Sequence, residues 1–326
     1  MKLFITRLIP EVGIQLLEEE GFQVTQWKEH RNLTQEELVH FCLEHDALLS
    51  AGHNQLDRSF FSACRHLKAI SLFSAGYDRV DIAAATHWKI PVGHTPGVLS
   101  KATANVAFLL MLAVSRNAFF LHKKIMNDNW KFYDPTADLG IDVEHKTLGI
   151  FGMGRIGMEL AYKCKQAFHM KVIYHNRNRN YLAENELDAI YVSFEDLLRK
   201  SDVLSVHTNL SDETRGIFNW SAFEKMKPTS IFINTARGAI HQEEDLKEAL
   251  QKGVIWGAGL DVTNPEPMAK DNELLSMPNV CILPHIGSAT VETRNAMAVL
   301  SAKNLIAVKR GRRMLHVINP EVYETG

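Results

Sequence analysis

Three glycines before a predicted helix are the first residues of the chain whose spacing suggests chemistry. Gly152, Gly154 and Gly157 form the pattern G-x-G-x-x-G directly after the apolar run 148–151. In such a motif the first glycine makes a tight turn, the second lets a pyrophosphate approach the backbone, and the third lets the helix pack on the strand. The N–H groups of the helix N-terminus then meet the phosphate charge. The bare pattern is weak, but its position between a strand and a helix predicts dinucleotide binding rather than a structural glycine turn.

The end of the next predicted strand bears on the choice of dinucleotide. A carboxylate about twenty residues after the glycines would hold the adenosine ribose of NAD, yet the first carboxylate after residue 171 is Glu184. The turn instead carries amides and guanidinium groups, which can bind a 2′-phosphate through charge-assisted hydrogen bonds: Asn176, Arg177, Asn178 and Arg179. We therefore predict that NADP(H) is preferred, with NAD(H) a possible second cofactor. The alternative is a solvated basic turn.

Three further polar segments each follow an apolar, strand-like run. They are NTARG at 234–238, DVTNPEP at 261–267 and LPHIGS at 283–288. Open α/β sheets bind their ligands just past the carboxyl ends of the strands. These segments are therefore predicted to line a ligand site.

Taken together, these motifs resemble those of the D-isomer-specific 2-hydroxyacid dehydrogenases. The resemblance covers essentially the whole chain, because it also includes SAGYD at 74–78. The run GLDVTNPEP at 259–267 and the run LPHIGSAT at 283–290, followed by Thr293 and Arg294, are especially similar to the glyoxylate/hydroxypyruvate reductase branch.

The resemblance implies catalytic roles for Arg237, Glu266 and His285, which match the family's arginine, glutamate and histidine in order and spacing. A planar guanidinium can hold a substrate carboxylate bidentately and so place the neighbouring carbonyl. His285 would give a proton to the carbonyl oxygen as hydride arrives, and Glu266 would orient the ring and stabilise its imidazolium form. The alternatives are a structural histidine, an arginine that caps a sheet edge, and a solvated loop carboxylate.

The same resemblance implies a larger set of binding residues. The backbone N–H groups of Ala75 and Gly76 match the loop that receives the substrate carboxylate. The remaining cofactor contacts, beyond the glycines and the basic turn, fall on Thr103, Arg155, Ile156, His207, Thr208, Thr235, Ala236, Arg237, Asp261, His285, Gly287 and Ser288. Asn209 stands where the family's commoner His-x-Pro continues with proline, so we expect the adenine-side loop to differ in shape. No metal is expected.

Short apolar runs alternate with amphipathic stretches along the chain, which is typical of parallel α/β units. In the first part we predict a helix at 10–20, a capping box from Thr34 and Glu37, and strands at 3–6, 22–26, 47–50 and 69–72. In the second part we predict six parallel strands, at 147–151, 171–174, 203–206, 230–233, 258–260 and 281–283. Long helices are predicted from 99 to about 126 and from 291 to 308.

These elements predict an α/β protein with two Rossmann-like domains and doubly wound parallel sheets. Because the two long helices bracket the second series of strands, we expect a discontinuous substrate domain, residues 1–98 and 289–326, with an inserted dinucleotide-binding domain, residues 99–288. The resemblance also implies a homodimer. The helical stretch 99–126 is a candidate interface, although burial in its own chain would explain its composition. Trp130 would either reach a neighbouring subunit's cleft or be a local core aromatic.

Composition bears on the partners and on the cellular compartment of the protein. The 326 residues are 46% hydrophobic and 23% charged, with a formal net charge of -2, so neither nucleic acid nor a membrane is an expected partner. The cysteines, at 42, 64, 164 and 281, are widely scattered and predict buried thiols in a reducing compartment. The N-terminal apolar run, broken by Arg7 and Pro10, is too interrupted for a signal peptide. A cytoplasmic protein is expected.

Together with the basic turn, the family resemblance implies an NADPH-dependent reductase that converts a small 2-oxo acid into the D-2-hydroxy acid. Glyoxylate and hydroxypyruvate are the first substrates to test, because the motifs are most similar to that branch of the family. Within the same family the alternative is a 2-ketogluconate, D-lactate-type or other 2-oxoacid reductase. In a different class, the alternative is a dinucleotide-sensing binding protein related to transcriptional corepressors.

Overall fold

The computed structural model describes residues 1–324. The chain divides into two compact units, one formed by Met1–Leu99 with the segment from Ser288 onward, and the other by Ser100–Gly287. Each unit is built on a sheet in which all neighbouring strands run parallel. The predicted α/β fold with two parallel sheets is confirmed.

The first unit alternates short strands with helices. They are β1 (Lys2–Ile5), α1 (Glu11–Glu19), β2 (Gln23–Gln26), α2 (Gln35–Leu43), β3 (Ala47–Ser50), α3 (Arg58–Ala63), β4 (Ala69–Leu72), α4 (Ile82–His87) and β5 (Val92–Gly93). The sheet order is β2-β1-β3-β4-β5. Strands β3 and β4 are buried along their whole length, as expected for central parallel strands. The predicted capping box is present: Thr34 accepts the N–H of Glu37, whose carboxylate accepts the N–H of Thr34.

The second unit begins with two helices, α5 (Ser100–Ser115) and α6 (Ala118–Met126). Its remaining elements are β6 (Thr147–Phe151), α7 (Arg155–Phe168), β7 (Lys171–His175), α8 (Tyr181–Leu187), β8 (Ile190–Tyr191), α9 (Phe194–Lys200), β9 (Val203–Val206), α10 (Trp220–Phe223), β10 (Ile231–Asn234), α11 (Glu243–Gln251), β11 (Gly257–Leu260) and β12 (Val280–Ile282). The sheet order is β12-β11-β10-β9-β6-β7-β8. The sequence predicted six of these strands and missed β8, because two residues at a sheet edge leave no pattern in the sequence.

The prediction of one long helix from residue 99 to about 126 is wrong. Helices α5 and α6 are bent by 64° relative to each other, and Asn117 between them has a φ of 50°. A residue in this left-handed conformation cannot continue a right-handed helix. Helix α5 is largely buried in the core of its own unit, whereas α6 has no buried residue. No single helix within residues 1–324 is long and apolar enough to cross a membrane, and α5 and α6 reach that length only as a bent pair.

The last helix, α12 (Val291–Lys309), belongs to the first unit and packs against α1 and β4. A Cβ at Gly13 of α1 would lie 2.8 Å from the Cβ of Ala298, so glycine lets the two helices approach closely. Beyond α12, the side chain of Asn319 is fully buried, accepts the N–H of Val92 at 2.9 Å and donates to the carbonyl of Ile90 at 2.9 Å. These bonds fasten the C-terminal segment to β5.

Candidate active site

Six neighbouring strands of the second sheet end in a single row. The backbone register pairs Ile282 with Leu260, Leu260 with Asn234, Asn234 with Val206, Val206 with Phe151, and Phe151 with His175. The polar segments that follow these residues therefore emerge side by side at the carboxyl edge of the sheet, which is where parallel α/β sheets bind ligands. The segments of Gly152, Asn176, His207, Thr235, Asp261 and His285 all leave this edge.

A carboxylate–imidazole pair lies at this edge. Oε2 of Glu266 is 3.1 Å from Nδ1 of His285, so the carboxylate accepts the Nδ1–H of the ring. The other carboxylate oxygen accepts the N–H of Thr263 at 3.0 Å. Glu266 is thus held by its own loop and mostly buried, while the ring of His285 is half-exposed. The pair can orient the imidazole and stabilise its protonated form.

The loop of His285 is fixed by Asp261, a carboxylate that is only 1% exposed. Its two oxygens accept the N–H groups of Ile286 at 2.8 Å and Gly287 at 2.7 Å. Burial raises the pKa of Asp261, and the two N–H donors and the charge of His285 act in the opposite direction. A Cβ at Gly287 would lie 3.3 Å from Thr103, which places that α5 residue beside the same loop. Asp261, predicted as a cofactor contact, therefore also positions the histidine loop.

The loop of Arg237 depends on Asn234, a fully buried polar residue at the end of β10. Asn234 accepts the N–H of Ala236 at 2.9 Å and donates to the carbonyl of Arg237 at 2.8 Å. A Cβ at Gly238 would lie 2.1 Å from the carbonyl of Thr263, so only glycine lets the Arg237 loop pack on the loop that carries Glu266. This role of Asn234 was not predicted from the sequence. Its signal was a polar residue ending the otherwise apolar strand IFIN.

Two histidines near this edge are neutral: His241, which is buried, and His207, which is partly exposed. Burial lowers the pKa of His207 to about 3 and that of His241 to about 4. His207 contacts the hydroxyl of Ser205 at 2.8 Å and that of Thr235 at 3.4 Å. Nδ1 of His241 accepts from the amide of Asn234 at 3.1 Å. These rings contribute hydrogen bonds and packing to the site, and no positive charge.

The glycine loop has the geometry that a dinucleotide requires. Gly152 has a φ of 101°, and a Cβ there would lie 2.8 Å from the backbone nitrogen of Thr208. A Cβ at Gly157 would lie 2.7 Å from the carbonyl oxygen of Gly152, so this glycine allows α7 to approach β6. A Cβ at Gly154 would meet nothing within 4 Å. Packing therefore does not explain that glycine, and the open space beside it suits a pyrophosphate.

Helix α7 begins directly after Gly154, so the N–H groups of Arg155 and Ile156 lie in its first turn. The preceding residues offer these groups no helical carbonyl, which makes the helix start an anion-binding site. The loop itself is held from β7, because Asn176 accepts the N–H of Met153 at 2.6 Å. The residues present therefore fit the pyrophosphate of a dinucleotide.

The basic turn after β7 separates into paired and exposed residues. Arg179 forms two hydrogen bonds with the carboxylate of Glu184, at 2.9 and 2.7 Å, and the ion pair lowers the pKa of Glu184. Glu184 also accepts the hydroxyl of Tyr174 at 2.6 Å. The carboxylate is thus already bound by Arg179 and Tyr174, and Arg177 and Asn178 are exposed beside the glycine loop.

Three predicted site residues belong to the first unit. Ala75 and Gly76 lie in the loop directly after β4, and Ser288 begins the segment that leads into α12. Ser74 Oγ donates to the carbonyl of Gly76 at 2.7 Å, which folds this loop on itself.

Comparison with known proteins decides the family. Residues 108–287 match the D-isomer specific 2-hydroxyacid dehydrogenase family, NAD binding domain. The chain is also 42% identical over 325 residues to a glyoxylate reductase from Pyrococcus furiosus, a match that covers 98% of this chain and 96% of the relative. The protein belongs to the D-isomer-specific 2-hydroxyacid dehydrogenase family.

Two solved reductase structures share the fold of this dehydrogenase. A glyoxylate reductase from Paecilomyes thermophila superposes with a TM-score of 0.87 at 34% identity, covering 98% of both chains. An NADPH-dependent glyoxylate/hydroxypyruvate reductase from Sinorhizobium meliloti, in complex with NADP and malonate, superposes with a TM-score of 0.86 at 29% identity and covers 98% of this chain and 97% of that one. The chain is accordingly an oxidoreductase with a nicotinamide dinucleotide-binding domain.

The burial of His241 predicts a stability that falls in mild acid. Its pKa of about 4 lies below the ordinary 6.5, so between these values the unfolded chain binds a proton that the folded chain does not. The free energy of unfolding should therefore decrease as the pH falls from 6.5 to 5, by up to about 1.4 kcal/mol per pH unit from this residue. Urea unfolding at several pH values measures this slope.

The variant His241→Asn keeps an acceptor in the place of Nδ1 and removes the titrating ring, so the slope should become shallower by that amount. The exposed His145, also replaced by Asn, is the matched control and should leave the slope unchanged. An H241N slope equal to that of the unmodified protein would contradict the assignment.

Proposed function

We propose that this dehydrogenase reduces a small 2-oxo acid of the glyoxylate or hydroxypyruvate type to the D-2-hydroxy acid, with NADPH as the preferred hydride donor. The observation that carries the proposal is the 3.1 Å contact between Glu266 and His285. The close packing of the Arg237 loop on the Glu266 loop supports it. The named activity of the Pyrococcus furiosus relative supports the substrate class.

The proton chemistry follows from the orientation of His285. Because Glu266 accepts from Nδ1, Nε2 is the ring nitrogen that donates a proton to the carbonyl oxygen of the substrate. A reduced nicotinamide, when bound, would supply the hydride that the carbonyl carbon takes up. The C=O bond thus becomes CH–OH and the imidazolium becomes neutral imidazole. In the oxidative direction the neutral ring takes the proton back, so His285 acts as an acid in reduction and as a base in oxidation.

Arg237 is assigned to the substrate carboxylate. Its guanidinium donates to the carbonyl of Ala236 at 2.7 Å, which brings the head group back toward its own loop. Asn234 and Gly238 hold this loop in place, so the loop needs little further ordering when a carboxylate binds. A bidentate pair would fix the plane of the 2-oxo acid and with it the direction of the carbonyl.

Variants of His285 and Arg237 should have different kinetic signatures. His285→Ala removes the proton donor and should lower kcat for glyoxylate reduction by roughly 10²-fold or more, with little change in KM. Arg237→Ala removes carboxylate binding and should chiefly raise KM while also lowering kcat. Steady-state oxidation of NADPH with glyoxylate and hydroxypyruvate measures both.

Near-normal turnover in His285→Ala would contradict the assigned role. If the unmodified protein binds NADPH tightly and reduces none of a panel of 2-oxo acids, the reductase proposal fails in favour of a dinucleotide-sensing protein.

The preference for NADPH is proposed to depend mainly on Arg177. This side chain is exposed beside the glycine loop, and its charge adds a small contribution to the lowered pKa of Glu213, which is due chiefly to a hydrogen bond from the hydroxyl of Ser211. Arg179, by contrast, already donates two of its N–H groups to the carboxylate of Glu184. A 2′-phosphate could recruit Arg177 without breaking an ion pair, whereas Arg179 would have to share its guanidinium.

Arg177→Ala should therefore raise KM for NADPH about tenfold or more and leave KM for NADH nearly unchanged. Arg179→Ala, the matched variant two residues away, should have a smaller effect on NADPH. The ratio of kcat/KM for the two cofactors measures the outcome. A clear preference of the unmodified enzyme for NADH would contradict the proposal.

We further propose that the enzyme works in the cytoplasm as a homodimer. All four cysteines are free and buried, as suits a reducing compartment. Of the two alternatives for Trp130, the local core aromatic is wrong, because this residue is 60% exposed. Large apolar side chains are exposed along α6 and the segment after it: Ile125, Met126, Trp130, Phe132, Tyr133 and Leu139. Such clustered exposure marks an interaction surface, and a second copy of this chain is the proposed occupant.

Trp130→Glu should therefore shift the protein from dimer toward monomer at micromolar concentration, because an aromatic anchor at an interface contributes about 2 kcal/mol or more. Light scattering after size-exclusion chromatography measures the mass. Leu8→Glu, an equally exposed apolar residue of the first unit, is the control and should stay dimeric. A monomeric unmodified protein, or an unaffected W130E dimer, would contradict the proposal.

A further inference from the structure

The loop after β4 contains two peptide groups whose N–H bonds are expected, from the family resemblance, to receive the substrate carboxylate. The first is the Ser74–Ala75 peptide, which carries the N–H of Ala75, and the second is the Ala75–Gly76 peptide, which carries the N–H of Gly76. In a trans peptide the C=O and N–H bonds point in opposite directions. A donor that holds the carbonyl from one side therefore aims the N–H to the other side.

The carbonyls of these two peptides accept hydrogen bonds from His94 and Thr95, which are neighbours in the sequence. The N–H of Thr95 donates to the carbonyl of Ser74 at 2.9 Å. Nδ1 of His94 lies 2.8 Å from the carbonyl oxygen of Ala75, and because a carbonyl can only accept, Nδ1 carries the proton and donates. The two residues after β5 thus hold the two peptides of the loop, one through the backbone and one through an imidazole.

The position of His94 is itself fixed by the C-terminal part of the first unit. Its N–H donates to the carbonyl of His316 at 3.1 Å, and its carbonyl accepts from the amide of Asn304 at 3.1 Å. Asn304 is fully buried on α12 and also accepts the N–H of His316 at 3.2 Å. The His94 ring meets the ring of Tyr77 edge-on, with centroids 5.9 Å apart. His94 therefore has little freedom to leave the Ala75 carbonyl.

We propose that His94 is a positioning residue for substrate binding: its Nδ1–H orients and polarises the Ala75–Gly76 peptide so that the N–H of Gly76 binds the carboxylate of the 2-oxo acid. This inference rests on the proposed function and on the family resemblance, which implies that this loop receives the carboxylate of the substrate. A hydrogen bond accepted at the carbonyl strengthens the donor at the other end of the same amide. Hydrogen bonds to an ionised acceptor gain most from such strengthening.

Two variants separate the donor of His94 from its ring. His94→Asn keeps an N–H donor near the place of Nδ1 and removes the ring, whereas His94→Phe keeps a ring against Tyr77 and removes the donor. If the donor matters, H94F should raise KM for glyoxylate and the Kd of oxamate, an unreactive analogue measured by calorimetry in the presence of NADP⁺, about tenfold. H94N should stay within about threefold of the unmodified enzyme for both, and KM for NADPH should be unchanged in both variants.

Two further variants keep the test decisive. His94→Ala also lacks the donor and should weaken oxamate like H94F, which covers the case in which a phenyl ring does not fit. His66→Phe is the matched control, since the ring of His66 also bonds to backbone carbonyls of the first unit, those of Cys42 and His45. It should leave oxamate binding unchanged.

Unchanged oxamate binding in both H94F and H94A, or a larger loss in H94N than in H94F, would overturn the inference. That result is distinct from failure of the proposed function. If the unmodified protein reduces glyoxylate, only the role of His94 falls. If it reduces no 2-oxo acid and binds no oxamate, the proposed function falls with it.

Discussion

The register of the parallel strands is the constraint on which the rest of the site depends. Phe151, Val206, Asn234, Leu260 and Ile282 lie in one row across the second sheet. Residues from five separate parts of the sequence therefore leave the sheet at the same edge. A slip of one residue at any strand would turn its side chains to the opposite face and displace the loop that follows. The glycine loop, the Arg237 loop and the His285 loop owe their proximity to backbone hydrogen bonds formed well away from any ligand.

At that edge the polar side chains fall into two groups with different tasks. Asn176, Asn234 and Asp261 bind backbone N–H groups of the loops. Arg237 and the imidazole of His285 are proposed to meet the substrate. Since the first group satisfies the loops internally, the second is held in place before a ligand arrives, and such preorganisation is a main source of catalytic power. The proposed role of His94 extends the same design to the first unit, where an imidazole instead of an amide or carboxylate holds the loop.

The sequence predicted the α/β class, nearly every strand and the family, because apolar periodicity and short motifs are local signals. Prediction from the sequence failed where the local structure depends on a single residue or on residues distant in the sequence. The break between α5 and α6 depends on the left-handed conformation of Asn117 within an otherwise helical pattern. The pairing of Arg179 with Glu184 requires a turn of α8 to bring them together. The exposure of Trp130 and the burial of Asn234 are properties of packing, which neighbouring residues in the sequence do not encode.

The central claim is that the Glu266–His285 pair and Arg237 act on opposite ends of one 2-oxo acid. A crystal structure of the enzyme with NADP⁺ and oxamate tests this most directly. We predict that the oxamate carboxylate binds the guanidinium of Arg237 and that its amide oxygen lies within hydrogen-bond distance of Nε2 of His285, while Nδ1 remains on Glu266. Oxamate bound away from His285, or an imidazole turned so that Nδ1 no longer faces Glu266, would contradict the account.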